Sequence, residues 1–210
     1  MANRSGSVYA LTTFSPLLQK APGEESPALS LRRHLAQLPA DESSPFSRVS
    51  STHIARLSVL DDVVFLGEPL REEHLQSRYL VFESNFDGDL EAYLARMARE
   101  IPQETDAVWR HCLGYPGTAR VPDFVAYMKK CQIKTDYYFA AVKDKTVQQT
   151  LRALAAQRAV ARFIEEHQGR PVAELQRAFL EFKSKLDAQP TPAPGGRSVT
   201  ELAQTTEAGS

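Results

Sequence analysis

Strand-like and helix-like periods interleave along this chain, and that alternation limits its possible folds more than any single motif. Val8 to Phe14, VYALTTF, is rich in β-branched and aromatic residues and is stopped by Pro16. Ala28 to Leu38 then places Leu31, Leu35 and Leu38 on one helical stripe. Thr52 to Leu60 and Arg78 to Phe86 return to a period of two, and Asp136 to Val142, DYYFAAV, reads as a fourth strand. Asp89 is placed to cap a helix over Leu90 to Glu100, with Tyr93, Leu94, Met97 and Ile101 along one face. A short helix around Trp109 follows. Another runs from Pro122 to Cys131, with the proline in the first turn, where its missing N–H breaks no bond.

The remainder is helical. Val147, Leu151 and Leu154 form one stripe, continued by Val160, Phe163 and Ile164. Gly169 ends that helix and Pro171 opens a second, in which Val172, Leu175, Phe179, Phe182 and Leu186 recur at intervals of three and four. The predicted order is β-α-β-β-α-(α)-β-α-α. Its first part matches the split βαβ plan: an α+β, ferredoxin-like antiparallel sheet with helices on one face, plus a C-terminal helical extension. The expected boundaries are residues 1–145 for that domain and 146–187 for the extension packed on it. Residues 188–210 are rich in Pro, Gly and small polar residues, so they are expected to be a disordered tail.

Composition narrows the function. With 25 Lys+Arg against 26 Asp+Glu, the chain carries no basic footprint for nucleic acid or an anionic membrane. The third strand has a faint likeness to an RNA-binding block but lacks its K/R-G-F/Y-G core. Two cysteines make no disulfide framework and fit a reducing cytoplasm. No apolar run reaches membrane-spanning length, and MANRSGSVYALTTF lacks the apolar centre of a secretory signal. P-loop, G-x-G-x-x-G and G-x-S-x-G motifs are absent from the sequence. His111, Cys112 and Cys131 have no C-x-x-C pair and read as structural residues, so no metal is expected.

A sheet covered on one face leaves the other free for a ligand or a partner. Alternation assigns Ala55, Leu57 and Val59 to the helix side and Ile54, Arg56 and Ser58 to the free side. Leu80 and Phe82 suit the helix side, which leaves Tyr79, Val81, Glu83 and Asn85 opposite. The fourth strand would add either Tyr137 and Phe139 or Tyr138 and Ala140. Arg56, Glu83, Asn85, Tyr79 and Tyr137 are therefore the candidate ligand-binding residues, a few polar groups on a partly apolar wall. The plainer reading is a structural Arg56–Glu83 ion pair across neighbouring strands. Asn85 to Asp89 likewise reads first as a turn and helix cap.

The segments PFSRVSSTHIARLSVLD, LVFESNFDGDLEAYL and CLGYPG resemble an uncharacterised bacterial group with similar T-H-x-A-R and S-N-x-D-G blocks. The architecture of that group is similar to the dimeric α/β-barrel superfamily, which includes dye-decolourising peroxidases, chlorite dismutases and small monooxygenases. The resemblance spans roughly residues 8–142. It implies paired sheets in a homodimer and a small-molecule site on the free sheet face, with oxidoreductase activity among the options. Through the peroxidases it also raises haem as a cofactor, with His53, Arg56 and Asp87 imitating the haem-site set. SNFDG lacks the leading glycine of the peroxidase loop, and alternation sets His53 on the opposite face from Arg56. The remaining reading is a non-catalytic protein-interaction module built on the sheet face and the C-terminal helices.

Overall fold

Three of the alternating segments form long neighbouring strands. The computed structural model describes residues 3–64, 67–68, 73–188 and 190. Its strands are β1 (Arg4–Ser5), β2 (Val8–Pro16), β3 (Thr52–Leu60) and β4 (Tyr79–Asp87). They form one antiparallel sheet in the order β1-β2-β4-β3. Seven helices are described: α1 (Pro27–Leu35), α2 (Pro45–Arg48), α3 (Leu90–Glu100), α4 (Pro102–Trp109), α5 (Val121–Cys131), α6 (Val147–His167) and α7 (Val172–Ala188). The protein is an α+β fold with a C-terminal helical extension. β4 lies between β2 and β3, as a split βαβ unit requires. Apart from Ala188 and Pro190, the expected tail lies outside the described residues.

The fourth strand is a correction. Residues 136–142 form no strand, and Tyr137 and Phe139 stand 82% and 69% exposed. The sheet edge they were expected to fill is already occupied. Gly6 adopts φ +60°, so Arg4 and Ser5 fold back onto Tyr9 and Val8. A Cβ at Gly6 would lie 2.1 Å from the Lys143 carbonyl oxygen, so the turn also needs glycine for space. Further along β2, Gln132 bridges Thr13, and the Ile133 N–H donates to the Thr12 carbonyl. With these groups on the β2 edge, the backbone after Ile133 has no ladder to join there.

One sheet face carries the core. Leu11, Leu80, Phe82 and Phe86 meet Tyr93, Leu94 and Met97 of α3, Trp109 of α4, and Phe124 and Met128 of α5. Phe86 is sandwiched between Tyr9 and Tyr93, with ring centroids 5.3 and 3.7 Å away. Each large apolar side chain buried this way contributes about 1.5–3 kcal/mol. The Tyr93 hydroxyl, buried beneath β4, lies 2.8 Å from Ser84 Oγ and 3.3 Å from Thr52 Oγ1, so its polar end is satisfied. Local signals set the helix ends. Asp89 accepts from the Glu91 and Ala92 N–H groups, and Thr146 with Gln149 forms a capping box at α6.

Candidate functional site

The register brings the predicted polar pair together. Arg56 of β3 lies opposite Glu83 of β4, and Ile54 opposite Asn85. On the other flank of β4, Ala10 and Thr12 of β2 oppose Asn85 and Glu83. Because neighbours in register share a face, all six side chains stand on the side away from the core. Arg56 Nε donates to Glu83 Oε2 at 2.6 Å, and Arg56 Nη2 donates to the same oxygen. Among the described residues, Arg56 Nη1 and Glu83 Oε1 have no recorded protein partner.

A cleft of about 370 Å³ opens over these residues. Arg56, Glu83, Asn85 and Thr12 line it from the strands, and Thr135 and Tyr138 line it from the segment after α5. That segment is tied down beside β2: Asn3 Nδ2 donates both to the Ala10 carbonyl and to Thr135 Oγ1, the latter at 2.9 Å. The residues expected to form a fourth strand therefore supply a wall of the cleft. Tyr138 is half-buried, and burial raises its phenol above the ordinary tyrosine range, so it stays neutral near pH 7.

The candidate residues divide as follows. Arg56, Glu83 and Asn85 share the cleft. Tyr79 stands at the far end of β4, paired in register with Pro16 and Leu60, where its ring meets Phe14 at 6.1 Å. Tyr137 is exposed and lies outside the cleft lining, while its neighbour Tyr138 is within it. Thr12 and Thr135 were not among the candidates. The alternation of VYALTTF carried the signal for Thr12; nothing in the sequence placed Thr135 beside a β-strand.

His53, Arg56 and Asp87 do not share a cavity. A β-bulge between Thr52 and Ile54 leaves His53 as the extra residue, and this lets its ring reach the end of β4. His53 Nε2 lies 2.9 Å from Asp87 Oδ1, while the Val147 N–H donates to Asp87 Oδ2 at 2.7 Å. Asp87 thus joins the strand end to the first turn of α6, where an acidic group complements the helix dipole. His53 lines a second groove, of about 540 Å³, along the outer edge of β3 with Leu38, Pro45 and Phe46, and Arg56 borders both this groove and the cleft. Asp87 lines neither concavity. This donor set does not fit around one haem.

Cys112 is buried beside Leu17, and burial, followed by the neighbouring Cys131, pushes its thiol up to about 12. A thiol held neutral in this way is a poor nucleophile and metal ligand. Among the described residues there is no cluster of three His, Cys, Asp or Glu side chains suited to a metal, and no helix long and apolar enough to cross a membrane. Compared with known proteins, the chain matches no family model, no curated protein and no solved structure.

Proposed function

We propose that this protein binds a small organic molecule in the cleft on the open sheet face. The observation that carries this reading is the convergence of Arg56, Glu83, Asn85, Thr12, Thr135 and Tyr138 on one space of about 370 Å³. That volume lies within the range of small-ligand sites, roughly 300–1,000 Å³. Ile54 and Ala10 supply apolar wall, and the polar groups fix orientation. Glu83 cancels the Arg56 charge and Tyr138 is neutral, so the cleft favours an uncharged or zwitterionic ligand over a plain anion. A ligand with one acceptor and one donor at its edge can meet Arg56 Nη1 and Glu83 Oε1 together. The reading is one of binding and assigns no reaction.

The test is a fragment screen by ligand-observed NMR, with neutral amides, phenols, amino acids and simple carboxylates as probes. The expected result is selective binding of amide or zwitterionic fragments, weakened about tenfold or more by Arg56→Ala and by Tyr138→Ala. A screen with no binders, or binders indifferent to both substitutions, would overturn the reading.

A further inference from the structure

The hairpin of α6 and α7 holds a larger groove, about 810 Å³, that shares no residue with the cleft. Every residue lining it comes from the two helices or their turn. Val160, Ile164 and His167 face Val172, Leu175 and Phe179 across it. The five apolar residues in that set are between 37% (Leu175) and 82% (Val172) exposed. At about 150–200 Å² for a fully exposed residue of this size, they leave roughly 400–500 Å² of apolar surface uncovered along one groove. A standard interface takes about 800 Å² from each partner, a little over half of it apolar, which is roughly 450 Å². The uncovered area is therefore what one side of a stable dimer needs.

Charge points to what covers it. Arg158, Arg162 and Glu165 of α6, and Arg177 and Glu181 of α7, lie outside the groove lining. Only His167 and Arg170, both at the turn end, bring basic groups to it. Away from that turn the walls are uncharged, so two copies set antiparallel keep their basic turns apart and meet no like-charge repulsion along the seam, whereas a foreign partner is ordinarily selected by complementary charge. We propose that this face is the seam of a homodimer, in which the hairpins of two copies pack about a two-fold axis as a four-helix bundle. An antiparallel arrangement sets the two His167–Arg170 turns at opposite ends and buries Ile164 and Phe179 near the axis. The dimer joins the molecule through its C-terminal extension and leaves the sheet-face cleft open.

The full chain is tested by sedimentation equilibrium at micromolar concentration. The expected mass is twice 23.4 kDa. Ile164→Glu buries an unpaired charge in the seam and should weaken dimerisation at least about 100-fold. Ile54→Glu, on the sheet face, should leave the dimer intact. As a check that does not depend on a disruptive charge, Val160→Cys should give a covalent dimer with a bismaleimide of short span. A monomeric wild-type chain overturns the proposal. So does a dimer that Ile54→Glu dissociates and Ile164→Glu does not, since its seam would then be the sheet.

Discussion

The helix-covered side of the sheet and the C-terminal hairpin are made from similar side chains but bury them very differently. Phe82, Phe86, Tyr93, Leu94 and Trp109 are all essentially inaccessible, and each touches side chains from elements distant in sequence. Along α7 no residue is buried, although Leu175, Phe179, Phe182 and Leu186 form a continuous stripe. Phe163 holds the hairpin together, with Phe182 at 4.7 Å and Phe179 at 5.9 Å. At its other end α6 is anchored by Asp87 and by Gln148, whose side chain donates to the Ser50 carbonyl. Hydrophobic periodicity makes a helix in both regions, but only long-range packing makes a core, and stability should divide the same way.

The largest expected effect lies on the packed side. Leu94→Ala empties a fully buried position in the core and should cost about 4 kcal/mol in urea unfolding. A loss below 1 kcal/mol would mean that this core is as loosely held as the hairpin. The next effect is alkaline. The Cys112 thiol is raised from 9.0 to about 12 in the folded protein, so the unfolded chain loses its proton first. The stability it contributes is complete below pH 9 and is lost as pH rises toward 12, on the order of 4 kcal/mol by the end. Tyr115 and Tyr127, also raised by burial, add their loss only above pH 10. Cys112→Ala should therefore delay the onset of alkaline destabilisation by about one pH unit, read from urea midpoints between pH 8 and 11. An unchanged onset would place the source elsewhere.

The sequence made the packed side legible because its signals are local and repeated. Alternation in THIARLSVL and RYLVFESNF placed Arg56, Glu83 and Asn85 on one face, and Asp89 announced the start of α3. DYYFAAV has the same strand chemistry, yet Arg4, Ser5 and Gln132 hold the β2 edge where it would pair. Competition for an edge depends on the Gly6 turn and on a contact between Asn3 and Thr135, and no periodicity encodes either. The same blindness affects the bulge at His53. Strict alternation sets that ring on the face opposite Arg56, and the inserted residue breaks the alternation and lets it reach Asp87.

Asp87 is where the two regions meet. Asp87→Asn keeps the shape but removes the charge that faces His53 and the α6 N-terminus, and a side-chain NH₂ replaces one of the two accepting oxygens. The expected cost is about 2 kcal/mol. It should appear first as faster amide exchange at the start of α6, with β2 and β4 still protected. Equal loss of protection in the sheet would show that the hairpin is not a separate unit of stability.

The smallest effect completes the comparison, because it repeats the largest substitution on the other side. Leu180 lies in the middle of α7, 61% exposed and outside the hairpin groove. Leu180→Ala removes the same atoms as Leu94→Ala but opens no cavity, and alanine is at least as good a helix former as leucine. The change in urea midpoint should correspond to about 0.5 kcal/mol or less. Because Leu180 does not line the groove, the sedimentation mass should be unchanged as well. A loss near that of Leu94→Ala would mean that Leu180 is covered in solution, and the dimer seam would then have to include the outer face of α7 as well as the groove.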